Sequence, residues 1–224
     1  MMRVVRQLAS FDKLMFRGPG ELKITQCDQE SLSITAPDYV LGNIVSMLEG
    51  GELNLGYRDT RIINLCAYRE EIIYDLRLKD LKQLTLIGNG KIDIPDLDND
   101  QFKIILKGSG EIHMGHLTAD DLKIDSSGSG SIYIGGDVEM QTIALTGSGS
   151  FMGEDLVSDF AHVAIMGSGL VKLSVSEHLS VKITGNGHVS YTGFPEIQKL
   201  ISGSGTLKRN RIIKSQLCRG NNHG

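Results

Sequence analysis

Two histidines three residues apart, His113 and His116, are the closest this chain comes to a metal-ligand pair. Zinc needs three or four convergent ligands, and no third donor of evident spacing accompanies them. Alternation along the segment sends Met114 inward and His113 outward, so a solvated pair is expected. The stretch Asp96-Leu97-Asp98-Asn99-Asp100 has the outline of a calcium loop. It lacks the glycine and terminal glutamate that an EF-hand requires and reads as a solvated turn. Asp120, Asp121 and Asp125 are dispersed along one segment. Polysaccharide cleavage would need paired carboxylates in a groove, and sugar grooves favour aromatic platforms. With no Trp and 5% aromatic residues, the chain gives little basis for such an enzyme. No catalytic residue, metal or cofactor is expected.

Glycine offers one more chemistry. Seven Gly-Ser-Gly or Gly-Asn-Gly triplets occur, bounded by Gly88 and Gly90, Gly108 and Gly110, Gly128 and Gly130, Gly147 and Gly149, Gly167 and Gly169, Gly185 and Gly187, and Gly203 and Gly205. Glycine-rich loops cradle phosphate, but none of these continues into a dinucleotide fingerprint or a Walker Lys-Ser/Thr. Their first glycines step by 20, 20, 19, 20, 18 and 18 residues. That interval is too short for helix-pair repeats and suits one turn of a β-solenoid. The triplets are expected to be structural corners.

The elements between corners follow from period-2 alternation. Four residues before each of the first six triplets stand Leu84, Ile104, Ile124, Ile143, Val163 and Val181. Two residues after the triplets stand Ile92, Ile112, Ile132, Phe151, Val171, Val189 and Leu207. Such columns, rich in β-branched residues, read as inward-facing ladders of stacked strands. The expected fold is all-β: a parallel β-helix of about seven regular coils. Residues 1–80 form an irregular N-terminal cap with degenerate early coils, continuous with regular coils over 81–208. Residues 209–224 form an irregular tail. Gly18-Pro19-Gly20 is expected to be a modified corner, and Tyr39 to Leu48 a short helix or irregular excursion.

Bulk properties narrow the partners. A net charge of −4 gives no footprint for nucleic acid, and the basic cluster Lys208, Arg209, Arg211 and Lys214 reads as a solvated tail. Cys27, Cys66 and Cys218 form no C-x-x-C pair, and at most one disulfide can join them. No run of residues is long and apolar enough for a membrane span. The basic start, Met1 to Ser10, lacks the apolar stretch of a signal peptide. The outward column three residues before each triplet, Thr85, Ile105, Asp125, Ala144, Ala164, Lys182 and Leu200, carries apolar members. With Ile87 and Met166, the residues Ile105, Ala144, Ala164 and Leu200 are a candidate self-association face.

The spaced triplets, the opening Phe11 to Ile24 strand pair, and the Leu32-Ser33-Ile34-Thr35-Ala36 and Glu52-Leu53-Asn54-Leu55 strands have a collective likeness. So does the late Val189-Ser190-Tyr191-Thr192-Gly193-Phe194-Pro195 stretch. The chain resembles the bacterial auto-transporter adhesin, head GIN domain family over about residues 11–208. That resemblance implies a parallel β-helix, usually exported to the cell envelope, and hands over no catalytic residues. The expected function is a non-catalytic adhesin-like structural or binding module acting through an extended surface. Its expected partners are a protein or glycan surface ligand and a second copy of the chain. The alternative is a cytoplasmic self-associating scaffold, which the missing export signal favours; a carbohydrate-active enzyme ranks below both.

Overall fold

Alternating sequences dictate strands here, and closure of their apolar sides on one another dictates the coil. The computed structural model describes residues 1–57 and 71–210. Cys66, Cys218, Arg211, Lys214 and all but the first two residues of the expected tail lie outside them. Seven strands and one short helix come before the first triplet: β1 (Met2–Gln7), β2 (Lys13–Arg17), β3 (Glu21–Gln26), β4 (Ser31–Ala36), α1 (Asp38–Leu41), β5 (Ile44–Glu49), β6 (Glu52–Tyr57) and β7 (Ile73–Leu78). The coils continue through β8 (Gln83–Gly88), β9 (Lys91–Asp98), β10 (Gln101–Gly108), β11 (Glu111–Gly128) and β12 (Ser131–Gly147). They end with β13 (Ser150–Gly167), β14 (Leu170–Gly185), β15 (His188–Thr192), β16 (Glu196–Ser202) and β17 (Thr206–Arg209).

Each regular coil has three faces. The first precedes the Gly-x-Gly corner, the second follows it, and a short third face carries the chain back. Register is parallel throughout, so Ile104 stacks on Leu84 and Ile124, and Ile112 on Ile92 and Ile132. The two sequence ladders point inward and are buried from Leu84 to Val181 and from Ile92 to Val189. The third face contributes Leu97, Leu117, Leu156, Val138 and Val175, all buried. Their signal was present in the sequence as an apolar residue eight or nine places after most first glycines.

The corner is made by backbone. At Gly108 φ is +123°, and a Cβ there would lie 2.5 Å from the Gly88 carbonyl oxygen of the coil below. Only glycine suits that combination of twist and close approach. The hydrogen-bond ladder runs through the bend: the Ser109 N–H donates to Gly88 O at 2.9 Å, and the Ser129 N–H to Gly108 O at 2.9 Å.

Three expectations change. The solenoid makes about six turns rather than seven, because the Gly203 corner joins only β16 and β17 and nothing described stacks above them. For the same reason Ile201 and Leu207 are only half-buried and Arg209 is exposed. Thr85, expected outward, is buried at 4% exposure; its register neighbours Met15 and Ile105 are larger and close over it. Finally, the segment after α1 forms strand β5, which pairs antiparallel with β6.

The early coils do not stack in chain order. The β2–β3 pair, bent at Gly18 and Gly20, lies between β6 and β8 on the first face and between β7 and β9 on the second. Strands β4 and β1 then close the second face with antiparallel pairings, β4 on β7 and β1 on β4.

Candidate binding surface

The outward side of the second face is a straight row of side chains. Register aligns Asp93, His113, Tyr133, Met152 and Lys172 on successive coils. His113 Nδ1 lies 3.2 Å from Asp93 Oδ1, and its ring sits 6.3 Å from the Tyr133 ring, tilted by 40°. Lys172 Nζ donates to Glu154 Oε2 at 3.2 Å. Beside this row the Ser150 hydroxyl donates to the Ser131 hydroxyl at 2.9 Å.

Where the second face turns into the third, a depression of about 530 Å³ opens. His113, Tyr133, Met152, Glu154, Asp155 and Lys172 surround a floor that includes Gly115 and Gly135. Sequence reasoning weighed His113 here but missed Tyr133, Glu154, Asp155 and Lys172. The 19-residue step between Gly128 and Gly147 was the available signal.

The weighed residues do not assemble into a reaction centre. His113 is on the second face, whereas His116 pairs in register with Asp96 on the third. Asn99 Nδ2 donates to Asp80 Oδ1 at 2.6 Å and to Leu81 O at 3.0 Å, which ties the aspartate-rich turn to the preceding coil. The backbone N–H groups of Asp120 and Asp121 donate to Asp100 O, and Asp125 pairs with Lys103 at 3.3 Å. Among the described residues no three His, Cys, Asp or Glu side chains gather as a metal site requires. Cys27 is a free thiol. Lys208 is exposed, and the Arg209 guanidinium stands 3.5 Å from the Phe194 ring centre. No helix among the described residues is long and apolar enough to cross a membrane.

The candidate self-association residues share the first face. Ile105, Ala144, Ala164 and Leu200 fall in one outward column, with Asp125 between Ile105 and Ala144 and Lys182 between Ala164 and Leu200. Ile87 and Met166 occupy the column nearer the corner. Met166 and Leu200 are each 63% exposed.

One polar pair is buried inside the coil. Gln141 Nε2 donates to Ser158 Oγ at 2.6 Å, and that hydroxyl donates to Ser174 O at 3.1 Å. Ala161 stacks next to Gln141, and its small side chain leaves room for the longer amide.

The profile of the family described as "Putative auto-transporter adhesin, head GIN domain" matches residues 10–195. The chain belongs to this family. The match runs from just before β2 to just before β16 and takes in six of the seven triplets. Among solved structures, a "putative adhesin" from Bacteroides fragilis superposes with a TM-score of 0.86 at 21% identity, covering 93% of this chain and 96% of that one. A "putative lipid binding protein" from Parabacteroides distasonis gives a TM-score of 0.76 at 23% identity, covering 94% and 96%. At such identities the shared property is the GIN-domain solenoid itself. No curated protein matches the chain.

Proposed function

We propose that this chain is a non-catalytic, adhesin-like module that holds a protein or glycan surface ligand against the outward second face of its rod. The observation that carries the reading is the row from Asp93 to Lys172, spaced by strand register on fully paired backbone. A surface so fixed loses little conformational freedom on binding. Membership of the adhesin-like family supports the same reading. The test is binding of fluorescently labelled chain to intact bacterial and epithelial cells. Saturable binding, displaced by unlabelled chain and without release of reducing sugar ends, is expected. Absence of saturable binding to every surface would remove the proposal.

A second reading, lateral self-association through Ile87, Ile105, Ala144, Ala164, Met166 and Leu200, draws on the exposure of Met166 and Leu200. The charged interruptions at Asp125 and Lys182 weaken it. A single monomeric species in concentrated solution scattering would exclude it.

A further inference from the structure

The depression on the second face is built by one missing residue. Between Met114 and Leu117 the chain places Gly115 and His116, and in the coil above, Gly135 alone stands between their register partners Ile134 and Gly136. In the next coil, Glu154 and Asp155 stand between Gly153 and Leu156, the partner of Gly136. The shortened turn is recessed between two full-length ones, and Gly135 becomes the floor of a notch. A Cβ on Gly135 would lie 2.7 Å from Gly115 O and 3.6 Å from Asp155 Cβ, so the floor is packed against both neighbours.

We infer that this notch is a carbohydrate-binding subsite, an assignment that rests on the surface-ligand reading above. Tyr133 is 37% exposed and lies beside the His113 ring. Such a ring offers an apolar plate to the C–H face of a pyranose and keeps its hydroxyl free for a polar contact. Glu154 and Asp155 supply acceptors for sugar hydroxyls on the opposite rim, and Lys172, held by Glu154, supplies a donor. A volume of about 530 Å³ falls within the range of small-ligand sites, roughly 300–1,000 Å³. Rival ligands fit less well. The strands on either side are already paired, so no free edge is offered for addition of a peptide strand. Carboxylates and an ammonium on the rim oppose an acyl chain.

The test uses the whole chain and a panel of trisaccharides: triacetylchitotriose, mannotriose, xylotriose and galactotriose. Binding is read by saturation-transfer NMR and titration calorimetry. At least one trisaccharide is expected to bind, with Tyr133→Ala and Asp155→Asn each weakening it tenfold or more at unchanged melting temperature. Insertion of one glycine after Gly135, which restores a 20-residue turn, is expected to abolish binding. Equal affinity in wild type, Tyr133→Ala and Asp155→Asn would overturn the site and leave the surface-module reading standing. Failure of every trisaccharide, with cell binding retained, would overturn the ligand class alone. Failure of both would overturn both readings.

Discussion

The coils from β8 to β15 and the cap built by β1 to β7 solve the same problem under different rules. In the coils each first-face side chain sits on an equivalent above and below, through parallel register that repeats there without exception. In the cap, antiparallel pairings at β1–β4, β4–β7 and β5–β6 terminate the stack, and chain order no longer matches stacking order. A residue in the coils must therefore satisfy two neighbours of fixed geometry, whereas one in the cap often answers to a single neighbour or to solvent. Translation forbids local compromise. The same substitution should have opposite consequences in the two regions.

Gly108→Ala breaks the regular side of that contrast and carries the largest expected effect. The new methyl would meet Gly88 O at 2.5 Å while φ remains near +123°. Left-handed strain costs roughly 1–2 kcal/mol, and overpacking a close contact adds roughly 1–3 kcal/mol. A loss of about 3 kcal/mol in urea denaturation is expected. A loss below about 1 kcal/mol would mean that the corner relaxes and that stacking there is not rigid.

The regular side was readable from sequence because its constraints repeat. Ile104 or Val163 alone says little; a column of such residues at fixed distance from a glycine says which way each one points. The third face was equally periodic through Leu97, Leu117 and Leu156, yet its strands carry only two inward positions each, such as Leu117 with Ala119 and Leu156 with Ser158, too short an alternation to notice. The cap's stacking order was not readable, because β2 touches β6 and β8, which lie far from it in sequence. No local pattern records an insertion of one coil between two later ones. The notch was legible only as arithmetic: a 19-residue step reports a deletion, but only register shows that Gly135 is the recessed residue and that Tyr133 and Asp155 flank it.

Tyr74→Phe probes the cap at a smaller scale. Tyr74 is fully buried and packs edge-on against Phe16 at 5.1 Å. Its hydroxyl, like that of Tyr57, finds no hydrogen-bond partner among the described residues. Burial pushes the Tyr74 phenol far above its usual range, reinforced by Tyr57 and opposed by Arg6. Burial also raises Tyr57. Unfolded tyrosine ionises near pH 10, so a raised folded value leaves stability intact below that pH and removes it as pH climbs higher. The slope is up to about 1.4 kcal/mol per pH unit for each tyrosine. Removing the unpartnered hydroxyl should gain about 1 kcal/mol at pH 7. It should also flatten the fall in melting temperature between pH 10 and 11. An unchanged alkaline slope would assign that fall to other groups.

Gly42→Ala carries the smallest effect and the opposite sign to Gly108→Ala. Gly42 ends α1 with φ −64° and ψ −19°, ordinary right-handed values, and a Cβ there meets nothing within 4 Å. Alanine fits this backbone without strain and narrows the conformations open to the unfolded chain, a gain of roughly 0.4–1 kcal/mol. Urea midpoints measured side by side should move up for Gly42→Ala and down for Gly108→Ala. A fall in the Gly42→Ala midpoint would show that the cap imposes a packing demand at the end of α1 as strict as the one the coils impose at their corners.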